Sequence, residues 1–246
     1  VAAVPVPDSA APWVGSLLWL IALMVSSFVV TWVCTDRLGM RRTPYIGVLA
    51  LMTAALGAGY LAWLGVGAAD LLTANWVWGL LGAPVAGLFL ALAIRRLPGG
   101  QRLTGRRLTA ALGWEALVYG TTEGVLLSVL PVLMTWQMIH SLGWSGPGGV
   151  IARGTLPIAA SLAVIVVHHL GYWEYRNHLL RPIALGCGLM SVAYLVTGSP
   201  IAPMLAHVIS HAASLYHGAE MPPHTRGAAP ESYGLESASS GGRSPR

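Results

Sequence analysis

A chain of 246 residues that is 55% apolar and only 9% charged, with a mean hydropathy of +0.65, lacks the charged surface of a water-soluble globule and reads as an integral membrane protein. That composition excludes a disordered regulator, and a disulfide-stapled secreted scaffold is excluded because the only cysteines, Cys34 and Cys187, both lie inside apolar runs. The net charge of +5 is not a nucleic-acid footprint, since all fourteen basic residues are arginines placed mostly in short gaps between apolar stretches, where they act as topology signals.

A membrane-crossing helix needs roughly 20 mostly apolar residues. Windows that meet or nearly meet this run over about 13–34, 45–68, 71–94, 111–136, 155–172, 182–198 and 201–217. The expected fold is therefore all-α, a polytopic transmembrane helix bundle of about seven spans. The first window has no basic residue before it and no small-residue cleavage site after it, so it is expected to stay as an anchor. Arg37, Arg41 and Arg42 follow the first span, Arg95, Arg96, Arg102, Arg106 and Arg107 the third, and Arg176 and Arg181 the fifth, whereas the alternate gaps hold only Arg153. By the positive-inside rule the arginine-rich side is cytoplasmic and the N-terminus faces out. The absence of lysine beside abundant Ala, Gly, Leu, Val and Arg points to a GC-rich bacterial genome, hence to the bacterial inner membrane. Trp13, Trp76, Trp144 and Trp173 fall near span ends, where an indole prefers to sit. From Gly218 onward Gly, Ser, Pro and isolated charges take over, so residues 218–246 are expected to form a disordered cytoplasmic tail.

With so few charges in the chain, the informative residues are those at membrane depth: Glu115, Glu123, His168, His169, His207 and His211. An ionisable group at the centre of a span costs about 2.5–3.5 kcal/mol on insertion scales, so its retention calls for a partner or a task. Glu123 lies mid-span in the fourth window, with Tyr119 one turn earlier and Pro131 two turns later as an expected kink. His207 and His211 share one helix face at i, i+4. The adjacent His168 and His169 point about 100° apart, so one looks into the bundle and the other toward a neighbouring helix or the interface; His169 is taken as the inward one. Glu115, about two turns before Glu123, is expected to line a wet entrance. Glu174, Arg176, His178 and Arg181 read as solvated loop charges, and His140, His217 and His224 as unremarkable span-end or tail residues.

The order of a glutamate in a long middle span, a histidine ending the next, and a histidine with a polar residue four positions on in the last resembles the CAAX-protease and bacteriocin-processing family, also labelled CPBP or Abi. Its motifs run EExxxR, FxxxH and HxxxN. On this chain Thr122 and Glu123 stand at the glutamate pair, Leu127 at the arginine, Ile165 to His169 at the second motif, and His207 and His211 at the third. The resemblance covers about residues 109–217, a four-span core, and leaves residues 1–108 as an N-terminal three-span region.

The resemblance implies an intramembrane glutamic endopeptidase. Glu123 would activate a water against a peptide carbonyl, His169 would share that water, and His207 and His211 would donate N–H groups to the developing oxyanion. No cofactor is implied, and the partners would be membrane lipids and a peptide or membrane-protein substrate, with the oligomeric state open. Two other readings of the same residues stand beside it. One is a non-catalytic family member serving as a membrane binding module. The other is a metal or haem site, zinc foremost, built from His169, His207, His211 and Glu123.

Overall fold

The computed structural model describes residues 12–100 and 102–218, and every described element is helical. Among the described residues there are eight helices, besides a single 3-10 turn at Trp173–Tyr175: α1 (Trp13–Arg37), α2 (Arg42–Leu64), α3 (Ala68–Thr73), α4 (Trp76–Ile94), α5 (Gly105–Ser141), α6 (Gly146–Leu170), α7 (Leu180–Thr197) and α8 (Ile201–His217). Six of them, all but α3 and α8, are long and apolar enough to cross a membrane, so the chain is a multi-pass helical membrane protein. Its outward side chains agree: Leu51, Val85 and Leu185 are each 74% exposed, a surface suited to acyl chains and not to water. Trp13, Trp76, Trp144 and Trp173 are all exposed near helix ends.

Two of the seven expected spans are changed. The third starts at Trp76, because Asn75 takes a left-handed backbone (φ 50°) that ends α3, a conformation asparagine tolerates better than most side chains. The seventh, α8, has only 17 residues, about 25 Å at 1.5 Å per residue against a hydrocarbon core of about 30 Å. It is not a free-standing span but packs against α4, α5 and α7.

The centre of the bundle is α5. Of its most apolar stretch 78% is buried, against 22–33% for the other five spanning helices. Around it stand α1, α2, α6, α7 and α8, with α4 packed behind α8 and α7. The expected boundary between residues 108 and 109 falls inside the first turns of α5, and helices from both sides of it share the same core. The structure of residues 219–246, where most of the expected tail falls, lies outside the described residues.

Helix α5 is not uniformly α-helical. Leu112–Val118 and Gly124–Val129 are π-helical and bracket the α-helical turn Tyr119–Glu123. The second π stretch comes just before Pro131, which has no N–H to give to the helix, and the chain absorbs that loss by widening rather than breaking. A cluster of hydroxyls ties this stretch to its neighbours. Ser161 of α6 donates to the Leu127 carbonyl at 2.5 Å and accepts from Ser191 of α7 at 2.6 Å, and the Ser191 hydroxyl lies 2.9 Å from Ser128 Oγ.

How α8 reaches Glu123 follows from two residues flanking it. Gly120 and Gly124 are four apart, and a Cβ on Gly124 would lie 2.6 Å from the Met204 Cα, one on Gly120 2.9 Å from the Val208 Cα. Only bare glycine lets the two backbones meet, the small-xxx-small device that lipid-embedded helices use because there is no hydrophobic drive between them. The opposite side of α8 rests on α4, where Gly87 gives the same close approach to Ile209.

Candidate functional site

The glycine contact delivers α8 to the α5 carboxylate. The His211 Nε2–H donates to Glu123 Oε2 at 2.7 Å, within a pair whose side chains are 13% and 8% exposed. A charge-assisted bond of this length between helices offsets much of what it costs to bury either group alone. The Tyr119 ring packs on the His211 ring at 5.0 Å between centroids, which fixes the imidazole from the side.

His207 and His169 lie buried on α8 and α6, two of the helices that pack against α5. Both commit one ring nitrogen to the preceding turn of their own helix: His207 Nδ1–H donates to the Pro203 carbonyl at 3.0 Å, and His169 Nδ1–H to the Ile165 carbonyl at 2.8 Å. A carbonyl can only accept, so this fixes the tautomer, and the neutral ring then presents Nε2 as an acceptor. In His207 that Nε2 is buried with no hydrogen-bonding partner, in a residue that is 1% exposed. Of the four residues singled out from the sequence, Glu123 and His211 are in direct contact, while His207 and His169 are buried with their Nδ1–H groups given to their own helices. His211 spends its N–H on Glu123, and neutral His207 has no N–H left to offer an oxyanion.

His168 is as buried as His169, and its ring faces the neighbouring helix α1. Its Nδ1 lies 3.3 Å from Thr31 Oγ1 and its Nε2 3.5 Å from the Tyr172 hydroxyl. Tyr172 also bonds Tyr45 at 2.6 Å and Tyr119 at 3.1 Å, and Tyr45 bonds Thr31 at 3.0 Å. Five side chains from α1, α2, α5, α6 and the turn after α6 thus form one buried hydroxyl network beside the Glu123 cluster. Burial, reinforced by the neighbouring Tyr119 and Tyr45, pushes the Tyr172 phenol well above its usual range, so it stays neutral and able to donate.

Glu115 is not a free group lining a wet entrance. It forms an ion pair with Arg42, Nε to Oε2 at 2.9 Å, and the Arg42 guanidinium lies 5.3 Å from the Tyr119 ring centroid. Arg42, which the sequence presents as one of several topology arginines, sits at the first turn of α2 between this carboxylate and an aromatic face. Glu174, expected to be solvated, is buried under the turn after α6, and Arg176 reaches Asp36 at 3.8 Å. His217 is an ordinary cap, donating from Nε2 to the Leu97 carbonyl at 2.8 Å, and His224 lies outside the described residues.

The sequence reading passed over Arg42, Tyr45, Tyr172 and the Gly120/Gly124 pair. For the glycines a signal was present, the GxxxG spacing that encloses Glu123. For the tyrosines there was none, since a tyrosine near a span end has an interfacial reading that sequence alone does not displace. As to metal, no group of three or more His, Cys, Asp and Glu side chains among the described residues is arranged to hold an ion.

Fold and site together define a helical membrane protein with a carboxylate–imidazole cluster buried at mid-bundle. Comparison of the chain with protein-family models, curated proteins and solved structures gives no match.

Proposed function

We propose that the chain is an intramembrane endopeptidase, a divergent relative of the CAAX-protease and bacteriocin-processing family, in which Glu123 activates a water that hydrolyses a peptide bond. The observation that carries this reading is the Glu123–His211 bond at 2.7 Å beside the unpartnered Nε2 of His207. A single water shared by the Glu123 carboxylate and the His207 lone pair would give its two hydrogens to them and keep its own lone pair free to attack. Glu123 takes the proton of that water as the oxygen bonds to the carbonyl carbon, and then returns it to the departing amine. His211 holds the carboxylate in place, and His207, with His169 close by, holds the water. Burial of Glu123, His169 and His207 keeps bulk water away from the cluster, which strengthens each of these contacts. The substrate is a peptide or a segment of another membrane protein, reached within the bilayer.

The test is trapping. Glu123→Gln keeps the shape and a hydrogen bond to α8 but removes the base, so cleavage should fall by roughly 10²–10⁴-fold and uncut substrate should accumulate and co-purify with the variant. No accumulating protein and no phenotype would favour a non-catalytic binding module. Zinc at one per purified chain, with activity lost to a chelator, would replace the mechanism with a metal-bound water.

On the same reading the protein sits in the bacterial inner membrane with the arginine-rich end in the cytoplasm. Reporter fusions after Thr104 and after Gly148 should then report cytoplasm and periplasm respectively. A periplasmic signal at Thr104 would invert the orientation and the side from which substrate enters.

A further inference from the structure

On the side of α8 turned away from His207 and His211, a groove of about 600 Å³ runs between α4 and α8, within the roughly 300–1,000 Å³ of ordinary ligand sites. The two helices run in the same direction there. Gly79 meets Ile201 at one end, and Gly100 N–H donates to the Gly218 carbonyl at the other. Along α4 the groove is lined by Leu88, Leu92 and then Arg95, spaced as one helix face, and along α8 by Ile209 and Ala213, with Arg102 closing the same end as Arg95. The groove therefore passes from apolar to cationic toward the arginine-rich end, both guanidiniums coming from the end of α4 and the segment after it. Arg95 and Arg102 have no acidic partner among the described residues, so two positive charges stand at the end of an apolar trough. The Leu97 and Gly218 carbonyls that would oppose an anion there already accept from His217 and Gly100.

We infer that this groove is a binding site for an anionic phospholipid, one acyl chain lying along Leu88, Leu92, Ile209 and Ala213 and the phosphate meeting Arg95 and Arg102. The apolar length selects an amphiphile over a free phosphate, and the two unpaired guanidiniums select a headgroup with net negative charge over a zwitterionic one. Because the groove backs onto the helix that carries His211, an occupant there would support the position of α8 from behind. The inference does not depend on how the Glu123 cluster is read.

Native mass spectrometry of the full chain in a neutral detergent, titrated with palmitoyl-oleoyl phosphatidylglycerol or phosphatidylcholine, tests it. Phosphatidylglycerol should be retained more tightly, and Arg95→Ala and Arg102→Ala should each weaken its retention roughly fivefold. Arg106→Ala with Arg107→Ala, which removes more charge than either single variant but outside the groove, should leave retention unchanged, and Ala213→Phe should block both lipids by filling the trough. Inorganic phosphate in excess should not compete. Equal retention of the two lipids, an equal loss in the Arg106/Arg107 variant, or competition by phosphate would overturn the site. So would a chain ending at Gly218 that takes up lipid where the full chain does not, since the carboxy-terminal residues would then be the occupant.

Discussion

Gly124→Val should cost the protein more stability than any other single methylated side chain placed on α5. A Cβ at this position would sit 2.6 Å from the Met204 Cα and 3.2 Å from the Pro203 carbonyl oxygen, and backbone atoms cannot swing aside as a side-chain tip can. Overpacking in a core commonly costs about 1–3 kcal/mol. Here the clash is backbone against backbone along a whole helix contact, which places the expected loss at the top of that range. The consequence for the site is direct, because α8 carries His207 and His211, and a helix pushed out by even an ångström breaks a 2.7 Å bond to Glu123. Gly113→Val is the matched control: it lies on the same helix, and nothing stands within 4 Å of its added Cβ. Thermal unfolding of the two variants in the same detergent reads the difference. Equal midpoints would mean that the glycine contact does not seat α8.

Much of this arrangement was legible in the sequence, and the reason is the solvent. In a chain with so few charges, each ionisable residue inside an apolar window stands out against insertion cost, so Glu123, His169, His207 and His211 identify themselves without any knowledge of packing. That Glu123 and His211 meet follows from depth: residues at similar levels on neighbouring helices can touch. What depth does not encode is rotation about the helix axis and the direction of each ring. The tautomers of His169 and His207 are set by the Ile165 and Pro203 carbonyls on the preceding turn, and this reversed the donor role expected for His207. Arg42 was hidden because an arginine at a span end satisfies the positive-inside rule equally well pointing out or in. The shortness of α8 was legible, since the apolar window 201–217 already has the bounds of the helix, but hydropathy does not say whether lipid or protein covers it. A helix flanked by α4 and α5 need not span the bilayer.

On the peptidase reading proposed above, His207 and His211 should fail in different ways, and the difference separates chemistry from scaffolding. His207→Phe keeps the ring but removes the Nε2 acceptor, so hydrolysis of the trapped substrate should drop by roughly 10²–10³-fold without loss of fold. His207→Gln, which restores an acceptor, should recover part of it. His211 acts through Glu123, since its only bond across the site is the one to Oε2. His211→Phe should therefore lower kcat at an unchanged KM, and His211→Gln, which offers an N–H again, should restore most of the rate. Combining His211→Phe with Glu123→Gln should be no worse than Glu123→Gln alone, because once the base is gone there is nothing left for His211 to orient. If the two losses simply multiplied, the residues would be serving separate steps, and the 2.7 Å bond would be a structural tie between α5 and α8 and not the device that positions the base.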